Sequence, residues 1–283
     1  MESLTYRGST SDFSRFDSGI IVKSPMKVWA GNPNRKKLEE EMEEAISFER
    51  RILEKMGGHP RIVPFVHPPA LHGRKLSVVN RYLGAHASSR GILLTEASHG
   101  NLQAYIDFNN AAINNSLRWK WSVQAVEAVA YVHRQGVIHS DLRPENYLVH
   151  ATGESSLDLW LCDFGGSRCD ELGFNVHHLP DEPFFDPRMP WESTPATDIF
   201  SLGSIIYTTL TGYWPYREGP PPMTVEDKNA YDTHVNEMFA AGIFPDVSML
   251  RGGKVIKGCW DHQYKTAEEV LWAIRSEMVT LDK

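Results

Sequence analysis

The run His139-Ser140-Asp141-Leu142-Arg143-Pro144-Glu145-Asn146, followed by Leu161-Cys162-Asp163-Phe164-Gly165-Gly166, constrains this chain more than any other feature. It sets two acids and an amide within one short stretch. Moving a γ-phosphoryl group needs oxygen ligands for Mg²⁺, a carboxylate to orient the attacking hydroxyl and cations against the phosphates, because such catalysis is mostly positioning and charge stabilisation. All of those residue types are present. Asp141 is the candidate catalytic carboxylate, Asn146 and Asp163 are candidate metal ligands, and Arg143 is a cation able to reach a moving phosphate.

With 283 residues, 41% of them hydrophobic, the chain can bury a sizeable core and suits one large domain or two compact lobes. A formal net charge of −7 with no Lys/Arg block lends no electrostatic support to a nucleic-acid or anionic-membrane partner. Cys162, Cys169 and Cys259 are odd in number and lack CxxC spacing, so neither a disulfide framework nor a zinc site is suggested. No apolar run approaches a membrane span, and residues 1–11 are polar without a signal-peptide core. An intracellular protein, cytoplasmic or nuclear, is expected, and its oligomeric state is left open.

The first hundred residues read mostly as strands around one helix and the rest as helix-rich, which predicts an α+β chain with a small β-rich lobe and a larger helical lobe. Strands are predicted at 4–8, 13–16, 19–23, 62–66, 75–82 and 91–96. Over residues 35–56, Leu38, Met42, Ala45, Ile46, Ile52, Leu53 and Met56 recur at helical spacing. Glu49 falls in that stripe, where a carboxylate needs a cation partner. Taken alone, Lys23 and Glu49 are a strand-end lysine and one more helix-face acid. Further helices are predicted at 117–134, at 198–211 ended by Gly212, and twice near the C-terminus, the last opened by Thr266 with Glu269 in a capping box. The irregular stretch 167–187 is too long for an idle connection.

Taken in order, these segments resemble the eukaryotic protein kinase family, whose catalytic loop, Asp-Phe-Gly and Asp-x-x-Ser-Leu-Gly helix are matched by residues 139–146, 163–165 and 198–203. The resemblance implies a bilobal kinase-like domain over residues 1–283, with an N-lobe at 1–97 carrying one regulatory helix, a connector at 96–101 and a C-lobe at 102–283. It also implies ATP and Mg²⁺ as cofactors and a protein substrate or regulatory protein as partner. Lys23 then pairs with Glu49, and Thr95 is the gatekeeper. Glu96 and Ser98 meet adenine through the connector, and Gly8, Phe13, Ile21 and Leu148 complete the nucleotide site. Asp198 would support the catalytic loop, and Leu53, Phe65, His139 and Phe164 would stack as an apolar spine.

Departures from the family pattern are equally concrete. Aligning 6–13 to G-x-G-x-x-G-x-V keeps only Gly8 and puts Phe13 where valine usually roofs adenine, while Ile21 replaces a small alanine. Ser140 stands where an arginine would read an activation-segment phosphate, and Ser167 is the one hydroxyl-bearing residue between Asp163 and Arg188. Control by phosphorylation of that segment is therefore not expected. Asp186-Pro187-Arg188 replaces Ala-Pro-Glu and Tyr264 replaces the partner arginine, which suggests Arg188 stacked on Tyr264. Two readings follow: an active phosphotransferase, foremost a Ser/Thr protein kinase, or alternatively a pseudokinase serving as scaffold or switch, motivated by Tyr6, Ser11, Ile21 and Ser140.

Overall fold

The computed structural model describes residues 3–7, 10–66, 91–154, 156–175, 178–217, 219 and 224–279. The chain divides into a small unit, Met1–Ala97 with Asp163–Gly165, and a large unit, Ser98–Cys162 with Gly166–Lys283. The expected strand at 75–82 and the expected nucleotide contact at Gly8 lie outside the described residues.

In the small unit β1 (Ser3–Arg7), β2 (Ser11–Asp17), β3 (Ile20–Pro25) and β4 (Ile92–Thr95) form an antiparallel sheet in that order. The β-branched run Ile20-Ile21-Val22 suits a pleated central strand. Gly19 turns the chain into it at φ +71°, while the Asp17 carboxylate accepts the Ser18 N–H at 2.7 Å. Val22 and Leu93, opposite one another across β3 and β4, seed the core, with Phe16, Ile20 and Val66 packed against them. The segment 62–66, expected as a strand, instead forms isolated bridging contacts, among them Phe65 to Leu94. Pro64 is the reason, since its ring removes an N–H and fixes φ. Its carbonyl still accepts the Thr95 N–H at 3.0 Å.

Helix α1 (Arg35–Met56) has the predicted bounds and buries Ile46, Phe48, Glu49, Ile52, Leu53 and Met56. Its outer face carries the i,i+4 pairs Arg35–Glu39, Lys36–Glu40 and Lys37–Glu41. Gly57 ends it at φ +65°, donating its N–H to the Leu53 carbonyl.

The large unit contains α2 (Leu102–Asn109), α3 (Asn115–Arg134), the hairpin β5 (Tyr147–Gly153) and β6 (Ser156–Leu161), and the short pair β7 (Arg168–Cys169) and β8 (Phe174–Asn175). Then follow α4 (Pro195–Thr211), α5 (Val225–Ala240), α6 (Gly253–Trp260) and α7 (Ala267–Val279). Helix α4 packs on α3 and α6 and is buried along most of its length. Thr194 and Thr197 cap its start reciprocally. Only glycine fits at Gly203, where a Cβ would sit 2.9 Å from the Trp260 ring, and that close approach lets Trp260 Nε1–H donate to Ser204 Oγ at 3.1 Å.

The expected capping box at α7 forms by half. Thr266 Oγ1 accepts the Glu269 N–H at 3.2 Å, but the Glu269 carboxylate takes the N–H of Lys265, one residue early, at 2.7 Å. The structure adds α2, the β5–β6 hairpin and α5 to the predicted elements. The hairpin had a signal, because Tyr147, Val149, Leu159 and Leu161 alternate and are all buried. Among the described residues no helix is long and apolar enough to cross a membrane.

Candidate functional site

In the small unit three charged residues converge. Lys23 on β3 donates from Nζ to Glu49 Oε2 of α1 and to Asp163 Oδ1, each at 2.6 Å. The Lys23 and Glu49 side chains are 4% and 1% exposed, whereas that of Asp163 is 46% exposed, so Asp163 is the arm accessible from solvent. Glu49 thus finds the cation that its place in the apolar stripe demands. Burial alone would lower the Lys23 pKa, but Asp163 and then Glu49 outweigh it and raise it, so the ammonium persists. Asp163 adopts φ +66°, a left-handed backbone that a non-glycine residue seldom keeps without a compensating contact.

Around this triad, Phe13 lies opposite Lys23 in the sheet, Ile21 opposite Leu94 and Thr95 opposite Ile20. Glu96 grips Arg15 through both carboxylate oxygens, at 2.6 and 3.2 Å, and Arg15 holds its pKa down. The Glu96 N–H is bonded to the Gly19 carbonyl at 2.9 Å.

In the large unit the loop carrying Asp141 hangs from α4. Asp198 accepts the N–H of His139 at 2.8 Å and that of Ser140 at 2.9 Å, and His133 Nε2 lies 2.9 Å from the same carboxylate. Ser140 takes φ +71° there; aiming two successive amides at one carboxylate offsets the strain of a left-handed serine. The His139 ring is fully buried, with Nε2 3.0 Å from the Cys162 carbonyl and Nδ1 facing the Asp141 N–H at 3.3 Å. Nε2 therefore carries the proton, and the ring is a structural tie between backbone groups.

Asn146 donates Nδ2–H to the Asp141 carbonyl at 2.7 Å and to Asp141 Oδ2 at 3.0 Å, which leaves its amide oxygen as a neutral donor atom. Arg143 Nε stands 3.6 Å from Asp141 Oδ1, and His178 Nε2 stands 3.7 Å from Oδ2. At those distances the contacts are electrostatic, not hydrogen bonds. Burial pushes the Asp141 carboxyl up, but His178 and Arg143 prevail and hold it at about 2. Ser98 is exposed, with its N–H 3.4 Å from His150 Nδ1 and its Oγ accepting the Ala151 N–H, and Leu148 pairs with Trp160 on the hairpin.

Asp163 in the small unit and Asn146 in the large unit each offer a hard oxygen, the donor type Mg²⁺ prefers when phosphates supply its other ligands. Among the described residues no group of three or more His, Cys, Asp or Glu gathers into a self-sufficient metal cage.

The expected stack of Arg188 on Tyr264 does not form. The guanidinium lies 5.2 Å over the Phe244 ring and donates to the Trp260 carbonyl at 3.0 Å. Asp186 decides this: fully buried, it draws in Arg188 Nη2 at 2.7 Å and His262 Nε2 at 2.6 Å, and so swings the guanidinium away. Tyr264 instead lies against Gly258, where an added Cβ would come 2.5 Å from the ring. Ser167 is fully buried and its Oγ–H donates to the His139 carbonyl at 3.1 Å. His178, His262 and Phe244 were missed in the sequence, which carries no local signal for them.

The family model described as "Protein kinase domain" matches residues 26–239, well over half of the chain. Its match begins just past Lys23, so the first three strands are joined to this pattern by the Lys23–Glu49 contact itself. The chain is similar to calcium/calmodulin-dependent protein kinase type 1 of Macrobrachium nipponense, 26% identical over 73% of this chain and 55% of the relative. Serine/threonine-protein kinase chk-2 of Caenorhabditis elegans is 30% identical over 43% of this chain and 26% of its own length. Death-associated protein kinase related of Drosophila melanogaster is 32% identical over 46% of this chain and 19% of its length. The chain thus spans about half or less of the length of these curated relatives.

Proposed function

Because the chain belongs to the protein kinase domain family, we propose that it is an ATP- and Mg²⁺-dependent phosphotransferase that acts on serine or threonine hydroxyls of a protein substrate. The Lys23–Glu49 ion pair carries this reading. Apolar residues of similar volume are often as stable in such a buried place, so an ion pair there has its best rationale in chemistry. Lys23 uses two of its three donors on Glu49 and Asp163 and keeps one for a phosphate oxygen. Asp163 and Asn146 are the residues that would hold Mg²⁺, which when bound neutralises charge on the phosphates. Asp141, ionised at neutral pH, orients the acceptor hydroxyl, and Arg143 offsets charge on the transferred group.

Activity does not await phosphorylation of the segment after Asp163. Ser167 is buried and bonded, and at position 140 a serine offers no cation to receive a phosphate. A scaffold reading draws on Ser98, whose N–H is turned to His150 and whose Oγ serves Ala151.

The test is transfer of labelled γ-phosphate from Mg-ATP to a panel of protein, peptide and small-molecule acceptors. Asp141→Asn should lower turnover by about 10²- to 10⁴-fold while ATP affinity holds within about twofold. Equal transfer by the variant would remove Asp141 from its role; no transfer, with no Mg-ATP effect on melting, would favour the scaffold.

A further inference from the structure

The segment after Asp163 brings an imidazole to the carboxylate of Asp141. Only 11% of that carboxylate side chain is exposed, although an acceptor hydroxyl has to reach it. Oδ2 is held by Asn146 at 3.0 Å and faced by His178 at 3.7 Å. Oδ1 is buried and among the described residues has no hydrogen-bond donor, although Arg143 stands 3.6 Å away. With Oδ1 buried beside Arg143, a hydroxyl would meet the carboxylate at the second lone pair of Oδ2, on the side where His178 stands. Of these three side chains beside the carboxylate, His178 is the most exposed: 55%, against 34% for Arg143, with Asn146 buried. Its ring rests on Gly166, where an added Cβ would lie 3.3 Å from the imidazole.

We propose that His178 is a gate over Asp141: its imidazole closes the approach of the acceptor hydroxyl to the carboxylate and has to swing aside before an acceptor binds. The gate rests on the phosphotransferase reading above. It regulates acceptor entry by side-chain position alone, and it leaves the Lys23–Glu49–Asp163 cluster untouched. A gate closed nine-tenths of the time raises the apparent KM for the acceptor about tenfold.

Steady-state kinetics on the full chain with serine- and threonine-containing peptides at saturating Mg-ATP test it. His178→Ala should lower the peptide KM by up to about tenfold, with kcat and the KM for ATP unchanged. His178→Gln, which keeps an N–H donor, should restore the wild-type KM. Transfer with an unchanged peptide KM, or a loss of kcat alone, overturns the gate and leaves the phosphotransferase reading standing. Transfer absent from both wild type and His178→Ala overturns that reading and the gate with it. Independently of turnover, the ¹³C-histidine resonance that His178→Ala deletes should shift in Asp141→Asn; an unmoved resonance overturns the contact.

Discussion

Lys23 holds two carboxylates at 2.6 Å with its own side chain 4% exposed, so each member of the cluster is stabilised by the others and stranded without them. Replacing Lys23 by Met leaves Glu49 buried without its cation, which should destabilise the chain by about 3–5 kcal/mol. Adding Glu49→Met should recover much of that loss, because two apolar side chains can fill the same space. Urea unfolding of the two single variants and the double variant measures the coupling, and strictly additive losses would show the pair to be independent. The same residue-scale logic applies to Asp198. Its two oxygens satisfy two backbone amides and a histidine, so the loop carrying Asp141 takes its shape from a carboxylate 57 positions further along the chain than Asp141 itself.

At the scale of elements, the segment after Asp163 is fixed at its far end by Asp186, which ties Arg188 and His262 together beside α6. Burial pushes the Asp186 carboxyl up, but His262 and Arg188 pull it down to about 2, below its usual 3.8. A depressed folded-state value means that the anchor stabilises fully above the unfolded pKa and is lost as pH falls through the folded one. The stability difference between wild type and Asp186→Asn should therefore be constant near neutrality and shrink between about pH 4 and pH 2. Thermal melts across that range read it, and a difference that stays constant to pH 2 would refute the anchor. Ser167 lies near the other end of the segment, buried against the His139 carbonyl, where a phosphate would be both crowded and desolvated.

At the scale of the whole molecule, a nucleotide that binds only the folded chain must stabilise it. Mg-ATP at about 100 times its Kd should add about 2.7 kcal/mol, visible as a higher Tm. Chelating the metal should abolish that rise if Asp163 and Asn146 act through Mg²⁺, whereas a rise that survives chelation would assign nucleotide binding to Lys23 and the connector alone. Because the chain spans about half or less of the curated relatives it resembles, its substrate and partners are best sought with the acceptor panel and not by analogy with any one of them.

Helix α1 was legible to the residue because its apolar stripe, charged outer face and glycine stop all lie within one continuous stretch of chain. The family pattern in residues 139–146 and 163–165 was legible for the same reason: it is written in adjacent residues. The β5–β6 hairpin is written there too, as an alternation of apolar residues. Pro64 could have warned against a strand at 62–66. What only the tertiary structure decided are the partners made between distant positions: His262 for Asp186, 76 residues apart, Phe244 for Arg188, and His178 for Asp141. Periodicity and capping act over a few residues and are therefore readable along the chain. The choice of ring beneath a guanidinium, or of imidazole beside a carboxylate, follows from which buried charge most needs compensation once the elements have packed.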